Sequence, residues 1–312
     1  MVNSRRRFIK TIAGTAAYFS IAGVGIGALA KNDFVRITIL HTNDVHSHID
    51  PFPDSDPKYA GLGGVARRAA VIKKIRSQVQ NVLLFDSGDI FQGSPYFNMY
   101  GGELEFKLMS EMGYDAATIG NHEFDNGLKG LEKQLPHANF PFINSNYDFS
   151  GTIMNGKTIS YKIFIKDGIK IGVFGLGIEL EGLVGKKEYG NTIYTDPQQK
   201  AAEMAYLLKK EKKCDMVICL SHLGYRYDSD KISDHILAKK SKNIDLIIGG
   251  HTHTFIDKPF RYRNSDDEEI IICQVGWAGI KLGRIDYYFE KKSTKKIVES
   301  HTIIISNNTS RI

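Results

Sequence analysis

Four short runs are near-continuously apolar, Val35–Leu40, Val82–Phe85, Met216–Leu220 and Leu246–Ile248, and each gives way to a polar cluster. Strands covered on both faces read this way, whereas half-exposed strands alternate. Between them fall helical patterns at Val65–Val79, Glu103–Met112, Pro197–Lys210 and Lys231–Ser241. Asp196-Pro197 is a good helix start, a capping carboxylate followed by Pro at the first helical position. The later chain is richer in strand signals, at Ser160–Ile165, Lys170–Gly175, Ile270–Val275, Arg284–Phe289 and Lys296–Ile305. The last two are expected to form a hairpin over Lys291–Thr294. Strands alternating with helices predict an α/β chain with a helix-covered mixed sheet, or two stacked sheets with helices outside.

Residues 1–30 read as a targeting segment. Ser4-Arg5-Arg6-Arg7-Phe8-Ile9-Lys10 has the twin-arginine pattern of a bacterial export signal. A weakly apolar Gly/Ala-rich run follows and closes on Ala28-Leu29-Ala30, small where a signal peptidase reads. The expectation is removal before Lys31, one mature domain over residues 31–312, and a periplasmic location, with membrane contact only through the signal. The formal charge is +6, but Arg5, Arg6, Arg7 and Lys10 supply four of it, leaving 37 basic against 35 acidic residues. That balance excludes nucleic acid as a partner. Cys214, Cys219 and Cys273 lie in apolar runs and read as buried thiols, with no disulfide framework.

Five polar clusters follow apolar runs, where open α/β sheets place their ligands. They are Asp44-Val45-His46, Asp86-Ser87-Gly88-Asp89, Gly120-Asn121-His122-Glu123-Phe124-Asp125, Ser221-His222-Leu223-Gly224 and Gly249-Gly250-His251-Thr252-His253. Residues two apart on an extended chain point the same way, so Asp44 with His46 can grip one ion, and His251 and His253 are again two imidazoles two residues apart. Four imidazoles, two carboxylates and an amide make the donor inventory of a two-metal site with N and O ligands. His41, His48, His137, His235 and His301 lack that context, and no role is expected of them.

In this order the clusters resemble the calcineurin-like metallophosphoesterase superfamily. More narrowly they resemble the catalytic domain of bacterial 5′-nucleotidases, on Leu40–Ser47, Gly63–Arg67, Gly120–Asp125, Gln274-Val275-Gly276 and Leu282-Gly283 as well. The similarity runs from about Val35 to Phe289. It implies a four-layer fold, two packed mixed β-sheets flanked by α-helices. It implies two divalent cations, one held by Asp44, His46 and His253, the other by Asn121, His222 and His251, with Asp89 bridging. His122 would be the catalytic imidazole, oriented by Asp125. The donor set favours Zn or Mn. The implied activity is hydrolysis of a small-molecule phosphoester, a nucleotide first, by in-line attack of a metal-bridging hydroxide. The alternative is another ester, as in the related exported thiosulfohydrolases. The family's nucleotidases carry a C-terminal substrate domain, and this sequence ends at Ile312. The expectation is therefore an open site, or a separate substrate-binding protein docking near Pro95–Tyr100 or Tyr225-Arg226-Tyr227.

Overall fold

Side-chain alternation along the strands builds the layers. The computed structural model describes residues 34–290 and 296–309, so the expected export segment lies outside the described residues. The first sheet contains β1 (Phe34–Thr42), β2 (Val82–Asp86) and β3 (Ala116–Ala117). Two short strands follow as a pair, β4 (Tyr147–Asp148) and β7 (Ile193–Tyr194). Between and after them come β5 (Tyr161–Lys166), β6 (Ile169–Leu176), β8 (Met216–Ser221), β9 (Leu246–Ile248), β10 (Phe260–Arg263) and β11 (Glu269–Cys273). A hairpin of β12 (Lys281–Glu290) and β13 (Lys296–Ile304) returns to the first sheet. The sheet orders are β13-β12-β1-β2-β3 and β10-β11-β9-β8-β6-β5.

Val35, Ile37, Ile39, Leu83 and Phe85 of the first sheet share one buried cluster with Ile171, Val173, Met216, Ile218, Leu220 and Ile271 of the second. This is the seam between the two sheets. The alternate residues face outward: Leu40, Val82 and Leu84 pack on one set of helices, Val217, Cys219 and Ile272 on the other. Burial on both faces explains why these strands read as continuous apolar runs. The fold is the expected mixed α/β arrangement with two sheets and flanking helices.

The helices are α1 (Val65–Gln78), α2 (Pro95–Tyr100), α3 (Glu103–Met112), α4 (Gly127–Gln134), α5 (Lys186–Tyr189), α6 (Pro197–Tyr206) and α7 (Asp234–Lys240). Asp196 caps α6, accepting the Gln198 and Gln199 amide hydrogens. Two helices differ from expectation by more than one residue. α6 passes at Leu207–Glu211 into a single wider π turn. α7 begins at Asp234 rather than Lys231, because Ser233 is extended and caps the Ile236 amide. Lys291–Thr294 lie outside the described residues, but β12 and β13 pair antiparallel as expected. All three cysteines are buried and free. Among the described residues no helix is long and apolar enough to cross a membrane.

Candidate metal centre

Every one of the five polar clusters is carried on a turn at the same rim of the two sheets. Backbone hydrogen bonds stitch these turns together: Asp44 N–H to Gly88 O (2.9 Å), His46 N–H to Asp89 O (3.1 Å) and Ala278 N–H to Asp44 O (2.8 Å). Asp44, His46, Asp89, His251 and His253 all have φ between 48° and 70°. Left-handed backbone is uncommon for residues other than glycine, and strain of this kind collects at functional sites. At Gly120 a Cβ would meet the Asp89 carboxylate at 2.2 Å, so no other residue fits this contact.

The ligating atoms form two groups that share one residue. Asp44, His46, Asp89 and His253 bring theirs within 4.8 Å of one another, and so do Asp89, His222 and His251. The His46 and His253 Nε2 atoms face each other at 2.9 Å, and Asp44 Oδ1 lies 3.4 Å from His253 Nε2. In the second group His222 Nε2 is 3.0 Å from Asp89 Oδ2, and His251 Nδ1 is 2.9 Å from Asn121 Oδ1. A tetrahedral cation with bonds of about 2.0–2.2 Å spaces its ligand atoms roughly 3.3 Å apart, close to these separations.

The tautomers fit as well. His46 Nδ1 sits against Phe91 O at 3.1 Å and His222 Nδ1 against Ser87 O at 2.6 Å, so each ring donates to a carbonyl and turns its Nε2 inward. His222 Nε2 is buried and faces the Asp89 carboxylate. Burial holds His46 below its ordinary pKa and lowers His251 to about 4, where His222 also repels a proton. Burial alone would lower His222 too, but the Asp89 carboxylate overrides it and raises the ring to about 10. Burial would raise Asp89, yet His222, His46 and His122 hold it well below the usual carboxylate range. The centre is thus built to hold positive charge between its carboxylates, and its donors fit two divalent cations.

His122 stands at the edge of the same centre. Its ring is 5.2 Å from His46, edge to face, and its Nδ1 meets Asp125 Oδ2 at 2.8 Å. Burial would lower its pKa, but the Asp125 hydrogen bond and the Asp89 charge raise it to about 9. The side chains of His122 and His253 are 34% and 40% exposed while Asp44 and His222 are sealed. Access is therefore from the His122–His253 side.

Three contributors were missed in the sequence. Glu123, fully buried, accepts four backbone amide hydrogens, from Gly120, Asp89, Ile90 and Phe91, at 2.6–3.2 Å. Its signal was an acidic residue inside the Gly120–Asp125 stretch, framed by a buried Phe124. Asn43 donates to Gly276 O and accepts from Val275 N–H, tying Asp44 to the last turn. Trp277 lies parallel to His253. Of the two expected docking segments, Met99 (71%) and Tyr100 (47%) are exposed, whereas Tyr225 stacks on Phe260.

Comparison with known proteins agrees with this geometry. The family model for calcineurin-like phosphoesterases matches residues 37–255. A snake venom 5′-nucleotidase of Gloydius brevicauda is 32% identical over 88% of the chain and 49% of its own length. A 5′-nucleotidase of Vibrio cholerae is 33% identical over 90% of the chain and 54% of its own length. The crystal structure of a 5′-nucleotidase precursor from Thermus thermophilus superposes with a TM-score of 0.78 at 28% identity, covering 88% of this chain and 55% of that one. The chain spans about half the length of these relatives.

Proposed function

The chain belongs to the calcineurin-like phosphoesterase family, and on that premise we propose that it is a metal-dependent phosphoric ester hydrolase acting on nucleotides. The observation that carries this reading is the position of Asp89, the one residue common to both ligand groups. Asp44, His46 and His253 would hold one divalent cation, Asn121, His222 and His251 the other, and Asp89 would bridge them. Zn and Mn suit these N and O donors. When bound, such a pair supplies Lewis-acid polarisation of phosphoryl oxygens and a lowered pKa for water.

The chain's own groups do the rest. Ser87 and Phe91 carbonyls fix the His222 and His46 rings, so their Nε2 atoms face the centre before any ion arrives. Asp125 fixes the His122 tautomer, leaving Nε2 to give a proton to the departing alkoxide. The half-exposed rim between His122 and His253 admits an ester whose charge is spread over several oxygens. The twin-arginine pattern at Arg5-Arg6 supports export, and the nucleotide preference is supported by the names of the relatives above.

Phosphate release by the purified protein, supplied with Mn or Zn, tests the reading. The substrates are AMP, a nucleotide sugar, a 2′,3′-cyclic nucleotide and p-nitrophenyl phosphate. Cation-dependent release that a chelator abolishes is the expected result. No release from any of the four, with both cations bound, would overturn it.

A further inference from the structure

Many phenylalanine rings of this chain end in the core: Phe85, Phe91, Phe106 and Phe124 are fully buried. At the open side of the metal centre four others do not. Phe52, Tyr59, Phe255 and Trp277 are each only half-buried, and they pack on one another together with His48. Trp277 is the hub. Its ring is edge to face with His48 (5.2 Å), Phe52 (5.8 Å) and Tyr59 (6.0 Å). It also runs parallel to the His253 imidazole, 3° between planes and 5.8 Å between centroids.

The rings are held rigidly. A Cβ at Gly276 would lie 2.1 Å from the Phe255 ring, and its φ of +80° is one that glycine alone adopts freely. Ala278 keeps a left-handed φ of 55°, and its N–H is bonded to the Asp44 carbonyl. The turn that presents Trp277 is therefore fastened to the backbone of a candidate ligand. On the other side Phe52 is pinned by Phe52 N–H to Leu62 O (2.8 Å) and Gly61 N–H to Phe52 O (3.0 Å). Strained backbone retained beside an open, rigid aromatic cluster is the mark of a binding surface.

We propose that Trp277, with Phe52 and Tyr59, is a stacking platform within this chain for the nucleobase carried by the nucleoside leaving group of the phosphoester. The inference rests on the phosphoesterase reading of the neighbouring centre. The platform touches His253, the most open candidate ligand, so a substrate whose phosphate sits at the centre has its base beside these rings, one sugar away. Stacking needs only a π face, so it favours nucleotides over sugar phosphates while discriminating little among bases.

Trp277 is the single tryptophan of the 312 residues, so intrinsic fluorescence reports on this position alone. The full chain carrying His122→Ala, with Mn supplied, is titrated with AMP and with ribose 5-phosphate. AMP should quench the emission saturably and ribose 5-phosphate should not. With His122 intact, Trp277→Ala should raise KM for AMP about tenfold or more and leave KM for ribose 5-phosphate within about twofold. Trp277→Phe should restore most of the AMP preference, which a merely structural role would not produce. Hydrolysis of both esters with equal KM, no quenching and no response to Trp277→Ala would overturn the platform and leave the phosphoesterase reading intact. Hydrolysis of neither would overturn both.

Discussion

The Glu123 carboxylate accepts the Asp89 amide hydrogen at 2.9 Å, so the residue shared by both ligand groups is fixed through its backbone by a buried acid three residues beyond Gly120. The same carboxylate takes the Gly120, Ile90 and Phe91 amides. Removing it strands several buried donors, each costing about 1–3 kcal/mol. Glu123→Ala should lower unfolding free energy by at least about 3 kcal/mol, read from urea transitions. Glu123→Gln keeps one carbonyl oxygen and should lose less. Equal stability of the alanine variant and the parent would remove Glu123 as the tie.

Asp89→Asn keeps the shape and removes the charge between His222 and His46, which approach its Oδ2 at 3.0 and 3.9 Å. A bridging site is expected to need that charge, so cation content per chain, measured by elemental analysis after dialysis, should fall well below two. Retention of both cations would show that Asp89 does not bridge.

In the proposed reaction His122 would act on the leaving group, and it belongs to neither ligand group. Proton transfer by a positioned imidazole is worth about a hundredfold or more. His122→Ala should lose that much in kcat while both cations stay bound. Asp125→Ala leaves the ring but frees its tautomer, and should cost less. Full activity in His122→Ala would sink the assignment.

Much of this was legible because it is local. Buried strands read as unbroken apolar runs, and the polar clusters follow them, so Asp44, His46, Asp89, Asn121, His222, His251 and His253 could be named from spacing and resemblance. What stayed hidden depends on long-range closure. Glu123 looks like any surface acid until the Asp89–Phe91 amides, more than thirty residues upstream, arrive on it. The ring cluster draws on Phe52, Tyr59, Phe255 and Trp277, stretches with no common period, so no window of sequence contains it. The α7 start at Asp234 was decided by the extended backbone of Ser233, a conformation that periodicity does not encode.

His41 supplies a pH signature away from the centre. Its ring is 1% exposed and fills the space left by Gly283, and burial lowers its pKa to about 3 against 6.5 for the free side chain. Between those values the unfolded chain binds the extra proton, so stability falls as pH drops below about 6.5. From pH 6.5 to 5 the loss from this group is about 2 kcal/mol. Buried Asp86 and Asp234, both raised to about 8 by burial, shift the absolute curve the other way, since stability from them falls as pH rises. The difference between the parent and His41→Leu isolates His41. Urea unfolding at the two pH values should show the parent losing about 2 kcal/mol more than the variant, and parallel losses would contradict the neutral buried ring.

Cation binding itself should appear as stability. Asp44 and Asp89 lie in one small buried group with no lysine or arginine paired to either among the described residues. The folded chain alone gathers the seven donors, so an ion at a hundred times its Kd adds about 2.7 kcal/mol to unfolding. Excess Mn or Zn should therefore raise Tm of the chelator-treated protein by several degrees, and the gain should grow with the logarithm of ion concentration. Asp89→Asn should flatten that response, whereas His122→Ala should leave it unchanged. A Tm indifferent to added cation in the parent would mean that the rim does not bind ions, whatever its donors suggest.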